Sequence, residues 1–524
     1  MTTTKSTTIA TDIRAMFKAR TPLIWINTRE EERVEGYLFE AAAALKMPTY
    51  TWDCGDGLRV WGKNEIVKGD TEVIDEALKE IGNRMLPTSI AGKGLWIMRD
   101  LAPWVTGPIG IGPARKLRNL AKTMTPVEQQ QAIVVLAASG DIPPELAAHA
   151  VVMDWPLPDR QEIADMLDDL CELYSLDLNG QRDAAIDAAI GLSGDEAKSV
   201  YAKSIVQTKT VTPAVVYAEK KRVIAKDKVL SWYDPLPGGL DAVGGLGELK
   251  MWLKSRVCAF SQEARAYGLA MPKGCMVVGV PGGGKSMIAK ALATFFGVPL
   301  IRLDLNAAKG KFVGESEASL RRALQVIDAL GFCVVWIDEI EKALAGATQG
   351  AADGGVSADA LGTVLSWMQE RTSGAFVMAT ANDVSALPPE LMRKGRWDEV
   401  WFVDLPSTLE RVSILQSALA ANGRADSKIS VADAMKIAQV TDGFTGAEIA
   451  SVVPEAMFTA FNDGGRELTT TDVLTAAATV TPLSKLASEK IEGLRKWATK
   501  SGARRASSIE DEVQAPRKIR ALDI

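Results

Sequence analysis

Residues 279–286 read GVPGGGKS and fit G-x-x-x-x-G-K-[ST], the pattern of a phosphate-binding loop. An apolar run, 275–278 (CMVV), precedes it, and a stretch free of Gly and Pro, 287–296, follows. Strand, Gly-rich loop and helix in that order is the context the mechanism needs. Gly282, Gly283 and Gly284 let successive backbone N–H groups turn inward around a phosphate chain, and the helix N-terminus adds partial positive charge. Lys285 is placed to reach the β- and γ-phosphates and Ser286 to ligate Mg²⁺. Pro281 and Met287 flank these residues and are expected to line the same site. A nucleoside triphosphate site follows, with ATP and Mg²⁺ as the expected ligands.

Composition narrows the rest. The 524 residues allow roughly three domains, and 47% hydrophobic content supports packed cores. A net charge of −6 gives no global pull towards nucleic acid or membrane. The five cysteines form no C-x-x-C pair, and the only histidine is His149, so His-based catalysis and His metal clusters are practically excluded. The polar start, MTTTKSTTIATD, has no apolar h-region, and no apolar run reaches transmembrane length; a soluble, cytoplasmic protein is expected.

The N-terminal part reads as α/β. Strands are expected at 22–27 (PLIWIN), 94–98 (GLWIM), 132–137 (AIVVLA) and 151–156, with Thr28 capping a charged helix through a box completed by Glu31. An internal comparison changes its meaning. Residues 132–158 and 375–406 share strand, loop, Pro-Pro-Glu-Leu, strand and Asp-x-Pro in the same order, and 191–197 (GLSGDEA) echoes 443–449 (GFTGAEI). The N-terminal half is read as a second copy of the phosphate-loop module that has lost its chemistry. After its first strand comes Asn27-Thr28-Arg29-Glu30-Glu31, without glycines and with acids that repel phosphate, and its second strand ends in the single acid Asp100. The expected division is a degenerate module at 1–205, a linker at 206–239, a large α/β subdomain at 240–405, a helical lid with C-terminal helices at 406–500 and a disordered tail at 501–524.

The second module adds chemistry at intervals. The loop 240–246 (LDAVGGL), with Val243 and Gly244, is suited to hold an adenine by backbone contacts. The run 334–341 (VVWIDEIE) delivers two adjacent acids to a strand's C-terminal edge, where ligands gather in open α/β sheets. Asp338 is placed to hold Mg²⁺ through water, and Glu339 to polarise the attacking water. Asn382 follows the strand at 376–380 and can orient that water or touch the γ-phosphate. Arg393 and Arg396, beside Gly395, suit projection into a neighbouring subunit's site.

Together, GVPGGGKS, WIDEIEKA, ATANDVSALPPELMRKGRWDEV and GFTGAEIASVVPEA resemble the Walker A, Walker B, second region of homology and lid motifs of AAA-clade ATPases over about residues 240–480. More narrowly, LIWINTREEERVE, YGLAMPKGCMVVG and PLSKLASEKIEGLRKWA are similar to the plastid-encoded AAA ATPase family of algae and cyanobacteria, nearly over the full length. The resemblance implies a P-loop AAA+ fold (a parallel sheet flanked by helices, plus a helical lid) preceded by a degenerate, motif-less AAA-like module. It also implies ATP hydrolysis and homo-oligomeric ring assembly, hexameric in expectation. Arg393 and Arg396 then match the family's arginine fingers, Asn382 its sensor, and Gly446-Ala447 the lid pair near the nucleotide. Two positions depart from the clade: Gly283 stands where Thr is usual, and Trp397 where Phe is usual.

Lys311, Phe312 and Val313 sit where related unfoldases carry an aromatic pore loop that grips polypeptide, and 345–356 reads as a second mobile pore loop. Two classes of function remain open: a motor that remodels or threads a protein client, or an ATP-switched scaffold acting on a partner or on nucleic acid without translocation. The acidic balance weighs against a nucleic-acid motor without excluding one.

Overall fold

The computed structural model describes residues 4–508 apart from 64, 85–92, 125–130, 139–141, 179, 226–228, 235, 261, 308–312, 345–353, 372, 386, 394 and 428. The chain divides into two compact units, residues 1–223 with 310–329 and residues 224–309 with 330–524. No helix among the described residues is long and apolar enough to cross a membrane.

In the first unit, strands β1 (Leu23–Asn27), β2 (Thr49–Asp53), β3 (Gly57–Val60), β4 (Gly94–Arg99), β5 (Gln131–Ala137) and β6 (Ala150–Asp154) form a sheet in the order β3-β2-β4-β5-β1-β6. Only β3 runs antiparallel to its neighbour. The inner strands read as unbroken apolar runs because helices cover both faces. Leu23, Trp25, Trp52 and Trp96 share the core on one face, with Ile24, Ile26, Leu95 and Ile97 on the other. Burying indoles costs little when their N–H groups find acceptors. Trp52 donates to the Thr71 carbonyl at 2.6 Å and Trp96 to Gln131 at 2.9 Å.

A separate helical core follows, built on Leu167, Ile186, Tyr201 and Val216. It draws in the helix Pro213–Ala225, so residues 206–223, read above as linker, belong to the first unit. Val216, Lys220 and Ile224, four residues apart, are the helix's buried residues, and the charged residues around them imitate a linker. The expected cap also moves. The helix Glu31–Ala43 has Glu30 at its N-cap, and Thr28 instead accepts the Glu30 N–H at 3.0 Å, turning the chain before the helix begins.

In the second unit, β7 (Leu230–Tyr233), β8 (Gly274–Gly279), β9 (Leu300–Leu303), β10 (Val334–Ile337), β11 (Phe376–Ala381), β12 (Glu399–Val403) and β13 (Arg504–Arg505) are ordered β13-β12-β8-β11-β10-β9-β7. Reversed, this repeats the first sheet: β7 stands for β3, β9 for β2, β10 for β4, β11 for β5, β8 for β1 and β12 for β6. The duplication read from sequence is therefore present in the order of the five parallel strands. The antiparallel edge strand comes from a different place in the chain, after β2 in the first unit and before β8 in the second. A lid core surrounds Leu415, Ile437, Val453 and Val473. The segment expected as a disordered tail from 501 is partly built into the sheet. β13 pairs in parallel with β12, and Ala506 is fully buried and donates its N–H to the Phe402 carbonyl at 2.9 Å. Residues 509–524 lie outside the described residues.

The first unit ties its own sheet to its own helical core through a carboxylate. Glu30, where the other unit has its Gly-rich loop, accepts the N–H of Gly194 at 2.5 Å and pairs with Arg33 at 2.6 Å, and Arg33 reaches Glu162 at 3.0 Å. Gly194 opens the helix Gly194–Thr208 just as Gly446 opens its counterpart, so an internal acid occupies a helix N-terminus suited to an anion. At the end of β4, Arg99 pairs with Glu35 at 2.6 Å and Asp53 at 3.2 Å, and Asp100 has a left-handed φ of 46°. Breaking a buried pair by removing one partner costs about 3–5 kcal/mol. Glu30→Gln is thus expected to lower the unfolding midpoint of the first unit in chemical denaturation while leaving nucleotide affinity of the second unit unchanged. Equal midpoints in the variant and the parent would remove this tie from the account.

Candidate functional site

The loop between β8 and the helix Lys285–Phe296 turns through Gly282 (φ 75°) and Gly284 (φ 87°), left-handed conformations that residues with side chains rarely adopt. A side chain at Gly282 would meet Thr445 and Ala447 of the lid within 3.1 Å, and the N–H of Ala447 donates to the Gly282 carbonyl at 2.9 Å. The lid helix Gly446–Asn462 therefore closes directly onto the loop. Together they border a cleft of about 510 Å³, whose lining includes Val243, Gly244, Pro281, Met287, Gly446 and Ala447. Gly244 packs so tightly on Ile414 that a Cβ would sit 2.5 Å from its Cα.

Lys285 is only 5% exposed and donates to the carbonyls of Gly279 and Val280, at 2.9 and 2.7 Å. Burial pushes its ammonium down to about 8, against the pull of Glu341, Asp338 and Glu339. Ser286 donates its hydroxyl to Asp338 Oδ1 at 3.0 Å. A hydroxyl beside a carboxylate at the end of a phosphate loop is a donor set that fits Mg²⁺, which takes one or two protein oxygens and keeps its remaining places for water and phosphate.

Asp338 has a second partner that sequence reasoning missed. Thr380, at the end of β11, donates to Asp338 Oδ1 at 2.7 Å and accepts the Glu339 N–H at 3.0 Å. Glu339 lies at a left-handed φ of 48°, with Oε1 accepting from the Asn382 side chain at 2.8 Å and Oε2 paired with Lys342 at 2.5 Å. Nothing in the spacing singled out Thr380. A threonine two residues before an expected sensor at the end of a strand was the available signal.

Arg393 and Arg396 do not line this cleft. Arg393 is exposed and makes no hydrogen bond or ion pair with the described residues, whereas Arg396 is half-buried. Between them and β12, Trp397 is buried and donates its indole N–H to the Leu391 carbonyl at 2.9 Å, so the larger aromatic is accommodated with its polar atom satisfied. The expected pore-loop residues Lys311 and Phe312 lie outside the described residues, as does 345–353; Val313 begins the helix Val313–Leu330.

Comparison with known proteins agrees with this geometry. The family model for ATPases associated with various cellular activities (AAA) matches residues 275–405, and the AAA+ lid domain matches 432–475. The N-terminal and second domains of SpoVK-like AAA ATPases match 9–155 and 161–227. The AAA domain-containing protein ycf46 of Guillardia theta is 36% identical over 502 residues, covering 95% of this chain and 96% of its own. The chain belongs to the ycf46 family of AAA ATPases. The ycf46 protein of Pyropia yezoensis is 35% identical over 504 residues, with 95% and 99% covered. The ATP-dependent zinc metalloprotease FtsH of Caldicellulosiruptor bescii is 33% identical over 246 residues, 45% of this chain and 39% of that protein. Similarity thus runs end to end within the ycf46 family and over less than half of this chain for FtsH.

The unusual glycine of the loop has a steric reason. A Cβ at Gly283 would lie 2.8 Å from Val403 Cγ1 and 3.1 Å from the Val280 carbonyl. Overpacking of this kind costs about 1–3 kcal/mol. Gly283→Thr is expected to lower thermal stability and weaken nucleotide binding, and Gly283→Thr with Val403→Ala to recover most of both. Recovery is the decisive readout by calorimetry and titration; a double variant no better than the single would locate the strain elsewhere.

Proposed function

We propose that this chain hydrolyses ATP with Mg²⁺ as a homo-oligomeric AAA+ ring, hexameric by its resemblance, and remodels a protein client. The observation that carries this reading is the convergence, on one cleft, of Lys285, the Ser286–Asp338 pair and the Asn382–Glu339 pair. Mg²⁺ bound at Ser286 and Asp338 would offset phosphate charge. The work of the chain's own groups follows from where they stand. Lys285 exchanges two loop carbonyls for phosphate oxygens, whose negative charge offsets the burial that disfavours its ammonium form. Glu339 keeps unshared lone pairs on both oxygens and is the general base that takes a proton from water, with Asn382 fixing its direction. Val243, Gly244 and Ile414 line the cleft where an adenine would be held, and Ala447 couples the lid to the loop.

Arg393, exposed and outside its own cleft, is assigned to the neighbouring subunit's γ-phosphate, with Arg396 beside it. An arginine supplied in trans makes hydrolysis depend on assembly. Glu339→Gln should keep ATP bound, block turnover and, in mass photometry, move with ATP from small species to about six subunits, the count being the family expectation. A variant that binds ATP yet stays monomeric would overturn the ring and the trans arginine together. Arg393→Ala should lower the turnover rate by about 10³-fold or more, the scale of an arginine finger, with ATP affinity little changed. Client remodelling has its own test in Phe312→Ala, expected to hydrolyse ATP and lose client processing. Processing at the parent's rate would favour a ring that acts as a scaffold.

A further inference from the structure

Glu341 has no part in the mechanism above, yet it is buried beside it. It is only 6% exposed, and its two oxygens are treated differently. Oε1 accepts the backbone N–H of Asn382 at 2.9 Å, while Oε2 is buried without a hydrogen-bond partner. Burial raises its carboxyl, an effect that the Asn382 N–H counters. An acid in the first turn of the short helix Ile340–Leu344 is unremarkable on the surface. Held in the interior at this cost, it calls for a compensating interaction.

The compensation is geometric. We propose that Glu341 is a positioning residue for ATP hydrolysis: it pins the backbone of Asn382 so that the Asn382 side chain meets Glu339. The chain of contacts is short. Glu341 Oε1 accepts from Asn382 N, and Asn382 Nδ2 donates to Glu339 Oε1 at 2.8 Å. Glu339 and Glu341 leave the same strand end two residues apart, so the loop after β11 is gripped twice, by its backbone and by its side chain. Thr380 performs the matching service one step earlier, taking the Glu339 N–H and holding Asp338. Without Glu341 the Asn382 backbone has no buried acceptor, and the amide that aims Glu339 loses its fixed base. Small displacements of this kind cost catalysis far more than binding.

This inference rests on the hydrolytic reading, and the experiment separates the two. The full-length chain is compared with Glu341→Leu, Glu341→Gln, Asn382→Ala and the Glu341→Leu/Asn382→Ala double variant. Glu341→Leu should lower kcat by about 10- to 100-fold with the affinity for a fluorescent ATP analogue within about threefold of the parent. Glu341→Gln keeps an acceptor oxygen and should stay within about threefold in kcat. The double variant should be no slower than Asn382→Ala alone, because both changes cut the same chain of contacts. Hydrogen exchange of the nucleotide-free protein gives a readout independent of turnover: the peptide containing Asn382 should exchange faster in Glu341→Leu and at the parent's rate in Glu341→Gln. Losses that multiply in the double variant, or an unchanged exchange rate in Glu341→Leu, would overturn the assignment. A Glu341→Leu protein that loses ATP affinity in step with kcat would make Glu341 a support of the phosphate loop instead. A parent chain that binds ATP without hydrolysing it would remove the hydrolytic reading, and this inference with it.

Discussion

Two hydroxyls converge on one carboxylate oxygen, and the arrangement of the second unit depends on that meeting. Ser286 comes from the helix after β8, Asp338 from the end of β10, and Thr380 from β11 between them. A single charged group thereby registers three neighbouring strands at their C-terminal ends. Parallel sheets leave those ends as loops with free backbone groups, and that is where open α/β folds place ligands. The two hydroxyl hydrogen bonds tie Asp338 to both neighbouring segments without a ligand. Such preorganisation is what electrostatic catalysis requires, because no dipole has to turn at the moment of reaction.

The two units show what happens to this scaffold when its charges are exchanged. Asp100 and Glu339 follow equivalent strands and share the left-handed backbone, at φ 46° and 48°. The residue before each differs in sign: Arg99 stands where the other unit has Asp338. A guanidinium surrounded by Glu35 and Asp53 holds in place, by internal pairing, what a cation and phosphates would otherwise hold. Glu30 does the same for the helix N-terminus at Gly194. The first unit has thus kept the backbone of a binding site and filled it with its own side chains, which is consistent with its match to the SpoVK-like N-terminal domain.

Much of this was legible in sequence because it is local. The phosphate loop, the acid pair after β10 and the repeated Pro-Pro-Glu-Leu segments are short patterns whose spacing reflects backbone geometry, and they found the fold, the duplication and the cleft. What escaped is contact between distant residues. Thr380 and Glu341 lie within two residues of Asn382 and Glu339, but only sheet register brings the two pairs together. The helix Pro213–Ala225 was hidden because one of its three buried residues, Lys220, is charged and stands between Val216 and Ile224. Strand β13 was hidden by being two residues long and basic; Arg504 lies over the Trp401 ring at 4.6 Å and pairs with Glu399 at 3.3 Å, contacts no local pattern announces.

Strand β13 also bears on how the protein is made. Its partner, β12, ends at Val403, and the chain must run on through the whole lid before Arg504 and Arg505 emerge. At about 5–20 residues per second of synthesis, β12 therefore spends roughly 5–20 seconds as an open edge. Strand edges left unpaired are where nascent chains go astray. The backbone groups of Trp401 and Phe402 on that edge would be open to pairing with neighbouring chains for that interval. A chain cut short before residue 504 would leave β12 as the sheet edge and lose the contacts that Ala506 and Ser507 make with Leu249 and Glu410.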